Sequence, residues 1–478
     1  MASDAHERGK VTDLPWLTAT EIAAAYARRD LSPVELVECL LDRITIWNPR
    51  FNAFITVAAQ AALDEARQAE REMRAGRVRG PLHGVPVAIK DIIDIAGQAT
   101  TCHSRLMAGH VAARDAMVVS QLRAAGAIVL GKLALHEFAI GGPSFDLPFP
   151  PARNPWNVDH QPGGSSSGAG AALAAGLVPV AVGTDTGGSV RNPAGHCGVV
   201  GIKPSYGLIS RRGVFPLSFS LDHVGPMARS VADVALMLDI LAGHDAEDPG
   251  SANVCNASFG ADLKRGARGL RVGYVRHFHE RDMPASGDVA AAIDGVARAF
   301  ADLGAQVREV DLPSLQQFAA VQRIIFLAEC WTVHARWLRE RPGDYGEVSR
   351  RKLLPGAFVS AGDYIRAQQH RCLLIDAVDR VLVDVDVLLM ANALEPACRI
   401  DDPAECVRTY SRHARGPANL TGHPAIAVPA GLSEGGLPLS VQLMGRAFDE
   451  CSLLRAAEAY ERVSPWHELR PPLLSGSL

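Results

Sequence analysis

The chain is 478 residues long, 48% hydrophobic and 21% charged, which excludes a disordered polymer and leaves ample length for a large buried core. Its 48 Lys+Arg against 52 Asp+Glu give a net charge of -4, so no basic excess marks a nucleic-acid binder. Nine cysteines, at positions 39, 102, 197, 255, 330, 372, 398, 406 and 451, are scattered without a CxxC pair; reduced, mostly buried thiols in a cytoplasmic protein are expected.

The opening decapeptide MASDAHERGK has no apolar run, so no signal peptide is read there. Residues 18–47 carry Ile22, Ala25, Tyr26, Leu36, Val37, Leu40, Leu41 and Ile44 at helical spacing, and Ser32-Pro33, a helix-start pair, splits them into two helices. Residues 52–75 read as a further surface helix, so 14–76 is assigned to N-terminal helices. The pattern changes after Pro81. Residues 85–89 are a buried strand ending at Lys90. Residues 116–125 have helical period closed by Gly126, and 127–130 are strand-like. Residues 169–175 read as a small-residue helix stopped by Gly176, and 178–182 as the next strand. Such alternation requires crossovers and predicts an α/β fold: a mixed, largely parallel central sheet covered by helices on both faces. The longest uncharged stretch, 161–184, is rich in Gly, Ala and Ser and carries Pro162 and Pro179; it suits a packed interior helix and strand, not a membrane span. Farther on, helices are expected over 231–241, 290–303, 319–341 and 363–383, with strands over 270–275, 385–390, 425–428 and 439–443. The whole, 1–478, reads as one domain with its core at 80–230 and a mostly helical excursion at 315–380.

Two loops carry candidate chemistry: 162–168 (PGGSSSG) and 183–191 (GTDTGGSVR). Glycine lets successive N–H groups converge on one point, and a serine hydroxyl attacks a carbonyl once a base takes its proton. Lys90 closes an otherwise apolar strand, where a charged amine is costly. It either pairs with a carboxylate, Asp91 or Asp94, or loses its proton; holding its pKa near 7 costs roughly 4–5 kcal/mol. A neutral amine of that kind is a general base. Residues 164–168 also fit the G-x-S-x-G pattern with Ser166 central, but that elbow must follow a strand, and 154–161 is polar and proline-bearing. The histidines show no metal-ligand spacing; His160 and His223 read as structural residues near the pocket. Lys132 and Lys203 lack the context of Lys90. Asp185 and Arg191 read as holding the loop in shape.

Lys90 in GVPVAIKD, Ser165 in PGGSSSG and Ser189 in GTDTGGSVRNPAGHCGVVGIKPS resemble the amidase signature hydrolases, with the two serines 24 residues apart. The stretches NPW at 154, KPSYG at 203, SLDHVGP at 220 and NLTGHP at 419 extend the likeness over residues 15–470. The resemblance implies Ser189 as nucleophile and Ser165, preceded by a cis peptide, as proton relay. It implies Lys90 as base and the amides of Thr186, Gly187, Gly188 and Ser189 as the oxyanion hole. No cofactor or metal is implied.

That family includes stand-alone hydrolases and the A subunit of the tRNA-dependent amidotransferase, in which an arginine-bearing GxRYGxR-type stretch and a later acidic residue grip the amino acid. Here the corresponding stretches read YGEVSRRKLLPG at 345 and TYSRHARGP at 409, with no carboxylate at the expected place. The stand-alone hydrolase is therefore the main expectation, the glutaminase-type subunit the alternative, and a non-catalytic binding protein a third. Where many relatives carry a polar STENSAFGP-like stretch, this chain has GGPSFDLPFPPA at 141. Gly141, Gly142, Phe145 and Phe149, with Ser166, are accordingly pocket candidates. The phenylalanines point to an apolar or aryl amide, with carbamates and esters within reach of the same nucleophile. The expected partner is a small molecule, without nucleic acid or membrane; a homodimer stays open.

Overall fold

The computed structural model describes residues 13–254 and 258–474; Cys255 and the opening decapeptide lie outside the described residues. Eleven strands form one sheet: β1 (Phe54–Val57), β2 (Pro86–Lys90), β3 (Ile128–Leu133), β4 (Val180–Asp185), β5 (Val200–Lys203), β6 (His223–Ala228), β7 (Arg271–Tyr274), β8 (Gln306–Glu309), β9 (Val387–Ala391), β10 (Ala425–Leu432) and β11 (Pro438–Gly445). Their spatial order is β1-β3-β2-β4-β6-β5-β10-β11-β9-β7-β8. Every residue of β2, β3, β4, β6 and β11 is buried, as expected for a sheet covered on both faces.

The α/β class and the mixed sheet agree with the sequence, but "largely parallel" needs correction. Pairings β2–β3, β2–β4, β7–β8 and β7–β9 are parallel; the other six are antiparallel. Crossover logic holds over β2, β3 and β4. It fails farther along because β10 and β11 are a hairpin turning at Ser433–Gly436. In addition, β5 (VGIK) is short and β6 (HVGPMA) is interrupted by Gly225 and Pro226, so neither announces itself.

The N-terminal helices Ala19–Arg28 and Pro33–Phe51 both begin with capping boxes, Thr18 with Glu21 and Ser32 with Glu35, each satisfying otherwise orphaned amides. Residues 54–57, read as helix from the composition around them, form β1 instead. Their aromatic and β-branched side chains (FITV) suit an edge strand, which pairs with β3. The helical excursion consists of Leu315–Glu340, Glu347–Leu353 and Ala361–Asp384. The first of these reaches the site, through a Gln322 Nε2 hydrogen bond to the Thr186 carbonyl at 3.2 Å. Among the described residues no helix is long and apolar enough to cross a membrane.

Candidate active site

Lys90 ends β2 and is fully buried. Its Nζ donates to Ser165 Oγ and to Thr184 Oγ1, both at 2.8 Å. Burial lowers its pKa to about 7, against the opposing pull of Asp185 and Asp222. The carboxylate alternative does not arise: Asp91 is engaged by Lys132 at 2.7 Å and by Thr101, and no carboxylate lies within ion-pair reach of Lys90 among the described residues. A buried amine with two hydroxyl neighbours and no counter-ion is poised to exchange a proton near neutrality.

Ser165 lies in the loop before helix Ser167–Ala174. The loop is pinned by Gly164 N to Asn192 Oδ1 at 2.8 Å and by His136 N to the Ser165 carbonyl at 3.1 Å. The Gly164–Ser165 peptide is cis. A Cβ on Gly164 would run into the His136 imidazole, so glycine is required by the close approach. Ser166 is fully buried and acts as a fastener: its amide donates to the Ser189 carbonyl at 3.1 Å and its hydroxyl to the Thr184 carbonyl at 3.2 Å. It lines neither the cavity over Thr184 and Thr186 nor the void beside His136, unlike the pocket role expected of it, and among the described residues no strand leads into it.

The Ser189 loop between β4 and helix Arg191–Cys197 is shaped by Asp185. This carboxylate accepts from Gly188 N at 2.7 Å, Val190 N at 3.1 Å and Asn419 Nδ2 at 2.8 Å, and takes a two-pronged contact from Arg191 at 3.0 and 3.1 Å. Arg191 in turn donates to Gln442, Asn419 and the Arg415 carbonyl. Because Asp185 occupies the Gly188 amide, that amide leaves the expected oxyanion set. The amides of Gly187 and Ser189 carry no hydrogen bond to the protein among the described residues. Thr186 Oγ1 donates to Asp222 at 2.6 Å, and burial raises the Asp222 pKa to about 6.

Ser189 is 5% exposed. Its side chain meets the Tyr410 hydroxyl, whose pKa burial raises; a direct Ser165–Ser189 side-chain hydrogen bond is not among those formed by the described residues. Tyr410 lies 221 positions downstream of Ser189, at the end of a short helix (Pro403–Tyr410); within the stretch TYSRHARGP nothing local marks the tyrosine as a neighbour of the nucleophile. Lys352 joins it: Nζ lies 4.6 Å from the Tyr410 ring and donates to the Gly141 carbonyl at 2.9 Å. Burial lowers the Lys352 pKa to about 8. Thr184 stands inside a recognised loop, yet only the fold reveals it as the second partner of Lys90.

A cavity of about 510 Å³ reaches Thr184 and Thr186 and is walled by Ile92, Tyr206, Val214, Phe215, Leu217 and Phe219. His223 also lines it, with Nδ1 held by the Leu221 carbonyl at 2.7 Å. The aromatic wall therefore exists, but not where the sequence suggested. Phe145 is 57% exposed, and Phe149 packs on His103 with ring centroids 5.4 Å apart. Gly142 borders only a small void beside His136.

The family model described as Amidase matches residues 35–454. The A subunit of glutamyl-tRNA(Gln) amidotransferase from Chloroflexus aurantiacus is 39% identical over 492 aligned positions, covering 97% of this chain and 100% of that one. Among solved structures, the native peptide amidase of Stenotrophomonas maltophilia superposes with a TM-score of 0.85 at 32% identity, covering 97% of this chain and 100% of that one. A chain from a vestigial complex bearing on the origins of an s-triazine catabolic enzyme gives 0.87 at 33%, covering 94% and 99%.

Proposed function

The chain belongs to the amidase signature family of amide hydrolases, and from that premise we propose that it cleaves carboxylic amide C–N bonds through an acyl-serine on Ser189. Neutral Lys90 takes the Ser165 proton while Ser165 takes that of Ser189, and Ser189 Oγ attacks the carbonyl carbon. The amides of Thr186, Gly187 and Ser189 stabilise the oxyanion, each lost donor costing about 3 kcal/mol. The same relay returns the proton to the leaving nitrogen, and water then releases the acid. Its second leg closes when Ser189 turns from Tyr410 toward Ser165; catalytic hydrogen bonds commonly tighten only with substrate present. The observation that carries the reading is the 2.8 Å hydrogen bond between a buried, unpaired Lys90 and Ser165.

The base must be uncharged to act, so kcat/KM is expected to rise as pH climbs through about 7, the Lys90 value, and to level off above it. A rate flat between pH 5 and 9 removes Lys90 as base. Replacing Ser165 by alanine is expected to cost several powers of ten in kcat without changing the melting temperature; a mild effect removes the relay.

For the substrate, we infer an amide with an apolar or aryl portion, with carbamates and esters as further acyl donors. The walls of the 510 Å³ cavity support this. The test is a hydrolysis panel of anilides, primary amides, esters and carbamates. Leu217→Trp, which narrows the cavity, is expected to depress anilide turnover more than that of a small primary amide, and equal losses would detach the cavity from substrate choice.

A second reading, a glutaminase-type amidotransferase A subunit, has the stronger support from the curated relatives, which carry that name at 37–39% identity over nearly the whole chain. The stretches that correspond to the amino-acid grip speak less for it: in the first, Arg351 pairs with Glu347 at the surface, and the second offers no carboxylate but Arg412, itself paired with Glu395. The purified single chain decides. Glutamine hydrolysis that appears only with partner subunits, and no anilide hydrolysis, establishes the second reading over the first.

A further inference from the structure

The Sγ atoms of Cys398 and Cys406 lie 3.7 Å apart, and both residues are more than nine-tenths buried. Cys398 Sγ accepts from Gln161 Nε2 at 3.1 Å and from Thr409 Oγ1 at 3.2 Å, and its carbonyl accepts from Gln161 N at 3.0 Å. Cys406 Sγ donates to the Arg399 carbonyl at 3.3 Å. Gln161 opens the loop that delivers Ser165, and Thr409 precedes Tyr410, which meets Ser189. The two sulfurs therefore stand at the joint between the Ser165 loop and the helix end that covers Ser189.

We propose that this pair is a modification site, a dithiol that a hydroperoxide converts to a disulfide and that thereby slows the enzyme. The Cys398 thiolate attacks one peroxide oxygen and the O–O bond breaks; the departing hydroxide takes up the proton that Cys398 had released, so that a sulfenic acid and water form. Cys406 then attacks that sulfur, its proton leaves with the hydroxyl as a second water, and the S–S bond closes. Two thiols lose two electrons and hydrogen peroxide gains them. Closing the pair to about 2 Å draws Cys398 Sγ from Gln161 and Thr409; both then lose an acceptor, and the strain passes to Ser165 and Tyr410. The order of attack follows from the surroundings. The hydrogen-bonded contact with Cys406 foremost, and that with Thr409, outweigh burial and lower the Cys398 pKa to about 7, whereas Cys406 is pushed up; a low-pKa thiol beside a resolving partner is one element of a redox sensor. The other buried thiols, Cys102, Cys197 and Cys330, are pushed up by burial, and among the described residues none of them makes a hydrogen bond to another cysteine.

The test treats the full chain with hydrogen peroxide, blocks remaining thiols with N-ethylmaleimide and maps the digest by mass spectrometry, a readout independent of the amide-hydrolysis reading. The expected product is a peptide linking 398 to 406, reverted by dithiothreitol. Hydrolysis is expected to fall by about 10- to 100-fold, the effect of a small misplacement in a catalytic site, and to recover on reduction. Cys406→Ser is expected to keep full reduced activity and show no recoverable loss, while Cys372→Ser, at an exposed thiol, keeps the native response. Alkylation of both Cys398 and Cys406 after peroxide overturns the proposal, as does a 398–406 disulfide that leaves the rate unchanged. An equal, reversible loss in Cys406→Ser overturns it too.

Discussion

Replacing Ser189 by alanine is expected to lower amide hydrolysis by about a millionfold, the scale seen when a catalytic serine is removed from a unit that works as one, while leaving the melting temperature unchanged. The hydroxyl supports no backbone: the Ser189 carbonyl and amide are unaffected by the change, and Ser166 still fastens the loop. Lys90→Ala is expected to fall almost as far, because without the amine neither hydroxyl has an acceptor for its proton. Since the two act in series, the double variant is expected to be little worse than either single one. A fluorophosphonate that labels the native chain and not Ser189→Ala separates an enzyme from a binding protein in one step. Near-normal turnover by either variant would sink the assignment.

The largest effect on stability is expected at Asp185. Asp185→Ala strands Arg191, which is fully buried, and breaking such a pair costs about 3–5 kcal/mol because one charge remains without a counterpart. Burial alone would raise the Asp185 pKa, but Arg191 and Asn419 outweigh it and hold the carboxyl well below its usual range. The measurement is the urea midpoint, expected to drop markedly with an unchanged slope. By contrast, Arg336→Ala, which removes a surface pair with Glu340 at 3.0 Å, is expected to leave the midpoint nearly where it was. A similar midpoint for native and Asp185→Ala protein would show that water compensates the guanidinium.

Much of this architecture was legible in the residues. The parallel core β3-β2-β4 follows from apolar runs separated by helical periods, and the lysine at the end of β2 stands out because charge is costly there. What stayed hidden depends on distance in sequence. β5 and β6 are short or interrupted by Gly and Pro, and their pairing is set by neighbours rather than by their own pattern. Phe145 and Phe149 illustrate the reverse error. An aromatic pair on a proline-stiffened loop suggested a pocket wall, but a loop can turn its rings to solvent or to a histidine, while Phe215, Leu217 and Phe219 supply the wall from another segment. Tyr410 and Lys352 lie inside the two stretches set against the amidotransferase pattern, TYSRHARGP and YGEVSRRKLLPG, but nothing local singles out either residue; only the folded chain sets them beside Ser189 and Gly141.

The hairpin of β10 and β11 joins two half-sheets, β1-β3-β2-β4-β6-β5 on one side and β9-β7-β8 on the other. Gln442 on that hairpin, with Asn419 just before it, grips the arginine beneath the nucleophile. During synthesis the reactive serine therefore emerges from the ribosome some 250 residues ahead of the clamp that shapes its loop. A nascent or prematurely terminated polypeptide carries the reactive groups without the means to aim them, so hydrolytic competence arrives only when the last strands dock.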